Sequence, residues 1–361
     1  MRSQLERLHF LDSMRGVLMM LGVVLHSAQI FRPAKTWVIY SEESSLLADI
    51  VVTVIHTFRM PAFFMVSGLF CALLLSRYMA REFLRIRFKR IILPLISSAI
   101  FLNSLQAIAL VRSGWLSTDA SQYFLQGGWV YHLWFLNYLL IFILLAALLV
   151  RFWEPWVARI SDAVASVPIL WILLLAPLTN GLIVVFNWLG LPIYNEYFGV
   201  VNTYTLLTYL PYFAFGILLY YNQKLLHEFA MVPLWLSFLI MALAGVIVEF
   251  ASTSPDLFSG SLVIYCKSLL GWFSVSLCFH VFYRFLNTES KRWSFLSDAS
   301  YTVYLFHHLL VILFGLIFIG LGWPGEISMF LIIFLTIVVT LLIHKFIVLR
   351  FPVVRLLFNG K

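Results

Sequence analysis

The chain has 361 residues, of which 62% are hydrophobic and 11% charged, with mean hydropathy +0.97 and a formal net charge of +8. A soluble domain carries roughly 25% charged residues, so this chain lacks the polar side chains to cover a water-facing surface. A soluble globular enzyme, a nucleic-acid binder and a disordered chain are thereby excluded, and a protein that spans a membrane is what remains.

Ten stretches reach the roughly 20 mostly apolar residues that a helix needs to cross a hydrocarbon core: about 10–31, 47–76, 91–112, 132–151, 167–188, 205–221, 231–250, 261–285, 299–321 and 327–349. Strand-period alternation is absent. The expected fold is all-α, a polytopic integral membrane helix bundle of about ten transmembrane helices, with 1–361 a single transmembrane domain. Asp12, Arg15 and His26 interrupt the first apolar segment, which is therefore expected to stay as a span rather than to be cleaved as a signal peptide. Cys71, Cys266 and Cys278 are sparse and lie in apolar stretches; they read as core residues, with neither a disulfide framework nor metal-ligand spacing.

Ionisable residues inside a span cost several kcal/mol, so each one marks a candidate site. In the first span Asp12, Arg15, Met19, Gly22 and His26 share one helix face. Arg15 and His26 are stacked about 16 Å apart along the axis, with Asp12 one turn below Arg15 to neutralise it. A salt bridge inside the bundle with an interfacial His is the plainer alternative. In the second span His56 and Arg59 share a face just before Pro61, which frees a backbone carbonyl and is expected to kink one long helix at a cavity. Between spans two and three, Arg77 to Arg90 is a dense basic connector. It fits anionic lipid, and Arg85, Arg87, Lys89 and Arg90 also fit a phosphorylated ligand, which forked guanidiniums suit. His132 and Trp134 open the fourth span as interfacial residues. In the ninth, Tyr304 and His307 lie near mid-depth, and His308 is expected on a different face. A bis-imidazole haem is improbable within that pair, and His280 and His344 read as interfacial.

Alternate connections carry Lys and Arg in a ratio of eighteen to three, so both termini are expected in the cytoplasm. A His can deprotonate a hydroxyl near neutral pH. A basic inner mouth with a His toward the outside therefore fits acyl transfer from a phosphate-bearing donor to an exterior hydroxyl. A secondary transporter or flippase for an anionic solute fits the same charges equally well.

A resemblance separates the two. Phe10-Leu-Asp-Ser-Met-Arg-Gly16 through His26 is similar to the first-helix motif of the acyltransferase-3 family, and Phe58-Arg-Met-Pro-Ala-Phe-Phe-Met-Val-Ser-Gly68 to its second-helix signature. Arg87-Phe-Lys-Arg90 resembles its R-x-x-R element. His132-Leu-Trp-Phe-Leu136 and Ala299 to His308 resemble later landmarks. From Phe10 to Pro94 the chain looks most like a branch that succinylates osmoregulated periplasmic glucans. The resemblance implies a multi-pass enzyme of the bacterial cytoplasmic (inner) membrane with no permanently bound cofactor or metal. Its co-substrate would be acyl-CoA, succinyl-CoA by analogy, and its acceptor a periplasmic glucan or other envelope polysaccharide. His26 would then be the base or acyl-relay residue, with Arg15 and Asp12 completing the catalytic set and Arg87 and Arg90, beside Arg85, holding the donor. Arg59 is a candidate for the succinyl carboxylate. His56, His132, Trp134, Tyr304 and His307 are candidates near the acceptor. No esterase-like domain follows the last span, so acceptor handling is expected in the membrane part or in a partner.

Overall fold

The computed structural model describes residues 9–116, 126–197, 199–254 and 256–361, apart from the side chains of 150–155. Its helices are α1 (His9–Ile30), α2 (Leu46–Leu75), α3 (Ala80–Arg112), α4 (Trp134–Ala165), α5 (Ile169–Trp188), α6 (Thr203–Tyr221), α7 (Gln223–Ala230), α8 (Leu234–Ala251), α9 (Leu257–Phe285), α10 (Lys291–Leu321), α11 (Gly325–Val348) and α12 (Pro352–Asn359). Ten of them, all but the short α7 and α12, contain segments long and apolar enough to cross a membrane, so the all-α polytopic bundle is found. Side-chain caps start several of them. Ser45 accepts the Ala48 N–H before α2, Asn202 the Thr205 N–H before α6, and Asp256 the Ser259 N–H before α9. At that last cap the N–H and hydroxyl of Ser259 hold the Asp256 carboxyl below its usual range.

The sequence-based boundaries need correction where apolarity and helicity part company. The third span begins at Ala80 rather than at 91, so Arg81 to Arg90 form helical turns and only Ser76–Met79 connects α2 to α3. Phe83 and Ile91 are buried there while Arg85 and Lys89 are exposed. An amphipathic face carries the helix past the end of its apolar run. α10 likewise starts at Lys291, eight residues before the apolar stretch, and α4 continues to Ala165. Pro61 sits inside one continuous helix of 30 residues. All three cysteines are buried and free.

α1 packs along α10, α2 and α11, and α2 along α6 and α9, so α1 and α2 form the centre. α2 and α6 touch backbone to backbone. A Cβ on Gly68 would overlap the Phe213 carbonyl oxygen, and one on Gly216 the Met65 carbonyl oxygen. Small residues permit such an approach within a membrane, where packing rather than the hydrophobic effect joins helices. α8 lies at the rim, with Trp235, Phe238, Leu243 and Phe250 exposed, as a face in contact with lipid tails would be.

One end of the bundle gathers His9, Arg87, Arg90, Lys291, Asn359 and Lys361 around one cavity. The other holds the Arg32–Asp49 pair (2.5 Å) and the Lys35–Glu42 pair. Basic residues from four separate segments thus meet at one end. Arg2, Arg7 and the side chain of Arg151, counted with them above, lie outside the described residues.

Candidate active site

The basic end opens into a cavity of about 830 Å³. Arg15, Arg87, Arg90, Lys291 and Lys361 line it, facing the carboxylates of Asp12, Glu289 and Asp298, and its apolar wall includes Met19, Phe63, Phe135 and Leu139. Aromatic faces support the cations: the Arg15 guanidinium stands 5.2 Å from the Phe70 ring centroid and that of Arg87 5.7 Å from Phe83. Arg87 Nη2 donates to the Phe70 carbonyl oxygen at 3.3 Å, while its buried Nε has no partner among the described residues. Ser297 Oγ donates to Asp12 Oδ1 at 3.4 Å. Asp298 is engaged by Lys361 and by His344 Nε2 at 3.5 Å. His344 is therefore a buried structural residue rather than an interfacial one, bonded also to Thr302 Oγ1 at 2.8 Å. Arg85 is exposed on α3 and is not on the cavity wall.

Two turns beyond Met19 on α1 lies a cluster of four imidazoles. The His26 ring centroid is 5.3 Å from that of His307 and 5.0 Å from that of His308, and Trp37, in the connection after α1, stacks on it at 5.6 Å. His132 stacks on His308 at 4.7 Å and stands 5.3 Å from His307. The adjacent residues of α10 thus both reach His26, against the expectation that His308 would face elsewhere. Consecutive helical side chains diverge by about 100° rather than pointing to opposite sides, and the His26 ring stands within reach of both, 5.3 Å from His307 and 5.0 Å from His308. Tyr131, whose φ is +42°, opens a turn at Tyr131–Leu133 that aims His132 inward. His132 is buried, not interfacial. Tyr304 donates its hydroxyl to the His132 carbonyl oxygen at 2.8 Å and closes that side.

Hydrogen bonds fix the tautomers of three of the rings. His26 Nδ1 donates to Gln29 Oε1 at 2.8 Å and His308 Nδ1 to Gln106 Oε1 at 2.6 Å. His307 Nδ1 donates to the carbonyl oxygens of Tyr304 (2.7 Å) and Val303 (3.0 Å). Each Nδ1 proton being committed, each Nε2 carries a lone pair in the neutral ring. The Nε2 of His307 is buried without a partner among the described residues. Arg59 joins this group rather than the basic cavity. Its guanidinium occupies the space that a Cβ on Gly22 would take, and His307 Nε2 lies 3.5 Å from that same point. Arg59 Nη2 contacts Met60 Sδ at 3.4 Å, and its buried Nε has no partner among the described residues. His56 is exposed, with Gln29 Nε2 3.5 Å from its Nε2.

The stripe on α1 therefore serves two places: Asp12 and Arg15 the basic cavity, His26 the imidazole cluster. Phe135 bridges them. It lines the cavity and packs against Phe63 at 4.8 Å and Tyr304 at 6.1 Å. Sequence reasoning missed Trp37, Gln29 and Gln106, and it set His308 apart from a site in which its ring stands 5.0 Å from that of His26 and 4.7 Å from that of His132. Gln29 and Gln106, amides within apolar spans, carried a signal of their own. Among the described residues no group of three or more His, Cys, Asp or Glu side chains is placed to hold a metal ion.

These features define a multi-pass α-helical membrane protein whose interior carries titratable groups. The acyltransferase domain of the acyltransferase-3 family matches residues 8–345. The chain belongs to that family and is an acyltransferase. It is similar to glucans biosynthesis protein C of Escherichia coli (strain K12 / DH10B), with 28% identity over 382 residues covering 99% of this chain and 95% of the relative. The protein of the same name from Escherichia coli O1:K1 / APEC is 26% identical over 379 residues, with the same shares covered. No solved structure matches the chain.

Proposed function

We propose that the chain moves an acyl group from a cytoplasmic acyl-CoA to a hydroxyl of a glucan, or of another envelope polysaccharide, on the far side of the bacterial inner membrane. The observation that carries this reading is the arrangement along α1 of a cation-rich cavity open at one end and an imidazole cluster two turns beyond its apolar wall. The phosphates of a CoA-type donor suit Arg15, Arg87 and Arg90. Its thin apolar arm suits the wall of Met19, Phe63 and Phe135, and brings the thioester toward His26. There Nε2 takes the proton of the acceptor hydroxyl as the oxygen attacks the thioester carbonyl. Collapse of the tetrahedral intermediate expels the CoA thiolate, which takes that proton from His26 Nε2, and leaves the ester on the sugar. Similarity to a protein named for glucan biosynthesis supports the acceptor class.

The test is a proteoliposome assay with acyl-CoA on the side of the basic cavity and glucan on the other. The reading predicts acylated glucan across the membrane. Solute flux without a covalent product would instead fit a transporter and overturn it.

Arg59 has the charge to take the distal carboxylate of a succinyl group beside the thioester. Arg59→Ala is expected to depress succinyl transfer at least about tenfold more than acetyl transfer, since a charge-assisted hydrogen bond contributes roughly 1.5–3 kcal/mol. Equal losses of both transfers, measured with succinyl-CoA and acetyl-CoA side by side, would remove Arg59 from that role.

A further inference from the structure

A second cavity, of about 510 Å³, opens at the end of the bundle opposite the basic one, within the roughly 300–1,000 Å³ usual for small-molecule sites. Tyr131, Trp134, Tyr138 and Tyr209 give it aromatic walls, and Glu196 and Asn202 are among its polar groups. The Trp134 ring centroid lies 5.8 Å from that of Tyr138 and 5.9 Å from that of Tyr209. The wall is braced. Tyr138 Oη accepts the Asn202 N–H at 2.8 Å, and Gly127 and Gly199, both at positive φ, bring two loops so close that a Cβ on either would overlap the other's backbone.

Its chemistry is the reverse of the basic cavity's. Among the described residues it carries one carboxylate and no Lys, Arg or His, so it disfavours an anion. Aromatic faces suit the C–H face of a pyranose, and a carboxylate with amide groups suits adjacent hydroxyls. Its position adds to this. Tyr131 and Trp134 bracket the turn that aims His132 into the imidazole cluster, and the Tyr131 ring centroid stands 5.8 Å from that of His308. A ring stacked there lies next to the groups that the transfer reading assigns to the chemistry.

We propose that this cavity is the acceptor subsite, which takes a neutral glycosyl ring on Trp134 and Tyr209 and binds its hydroxyls through Glu196. The assignment rests on the acyl-transfer reading above. It is tested with the full chain in nanodiscs, acyl-CoA, and linear glucose oligosaccharides of β-1,2, β-1,3 and β-1,4 linkage, with the acylated sugar measured by mass spectrometry. Trp134→Ala and Glu196→Gln are each expected to raise the saccharide KM about tenfold and leave the acyl-CoA KM unchanged, and Trp134→Phe to restore most of the loss. Glu196→Gln is nearly isosteric at an exposed position, so it reads the subsite even if Trp134→Ala does not fold. Saccharide KM values unchanged in Glu196→Gln and in whichever Trp134 variants fold, with the wild type active, would overturn the subsite alone. So would a parallel rise in the acyl-CoA KM. A wild-type chain that acylates none of these sugars would overturn the transfer reading and the subsite with it.

Discussion

His26→Ala is expected to lower kcat for acyl transfer by about 10²–10⁴-fold, the usual contribution of a positioned general base, with the protein still inserted in the membrane. The His26 ring is held on three sides, by Trp37, His307 and His308, and its Nδ1 proton is committed to Gln29. That leaves Nε2 as the basic atom. The neighbouring rings are tied to partners of their own, His308 to Gln106 and His307 to backbone carbonyls, so neither is free to turn into the vacated position. The acyl-CoA KM should change little. The cations of the basic cavity lie three helical turns away, about 16 Å by helical rise from Arg15 to His26. The readout is single-turnover transfer in nanodiscs with donor KM measured in parallel. A kcat within about threefold of wild type would remove His26 from the base role.

The largest structural effect is expected at the contact of α2 with α6. A Cβ at Gly216 would overlap the Met65 carbonyl oxygen and stand 2.8 Å from its carbon. Backbone atoms cannot swing aside as a side chain can, so Gly216→Val must part the two helices along their shared seam. Phe64 stacks on Tyr209 at 4.8 Å in that seam, and Met65 and Phe213 are buried there. Overpacking of this kind costs about 1–3 kcal/mol and sometimes more, and here the displaced helix carries Arg59. We expect loss of folded protein from detergent-solubilised membranes, read as a fall in Tm and in monodisperse yield. Gly245→Ala on the rim helix α8 is the control: nothing lies within 4 Å of its Cβ position, and replacing a helical glycine there should be neutral or slightly stabilising. Equal Tm values for the two variants would contradict the packing described here.

Hydropathy made the ten spans legible because a hydrocarbon core demands a fixed length of apolar helix. The starts of α3 and α10 were not, since Arg81 to Arg90 and Lys291 to Asp298 are helical through an amphipathic face that a hydropathy window reads as a connector. Buried charge pointed to Arg15, His26 and Arg59, and all three line interior sites or pack against them. Periodicity fixed the shared face of Arg15 and His26 on α1 but not their grouping. Asp12 and His26 lie on one stripe yet serve places three to four turns apart. Arg85 belongs to the same basic run as Arg87 but points out of the cavity. The imidazole cluster was the least legible part, because α1, the turn before α4, α10 and the connection bearing Trp37 contribute one or two rings each. No local pattern encodes that meeting.

The central claim is covalent transfer of an acyl group to an envelope saccharide at His26. The most direct measurement is mass spectrometry of periplasmic glucans from cells that express the wild-type chain, cells that express His26→Ala at equal membrane abundance, and cells that lack the gene. The account predicts an acyl mass increment with the wild type alone, its size naming the group. The same increment in the His26→Ala cells, or none in any strain with the protein confirmed in the membrane, would contradict it.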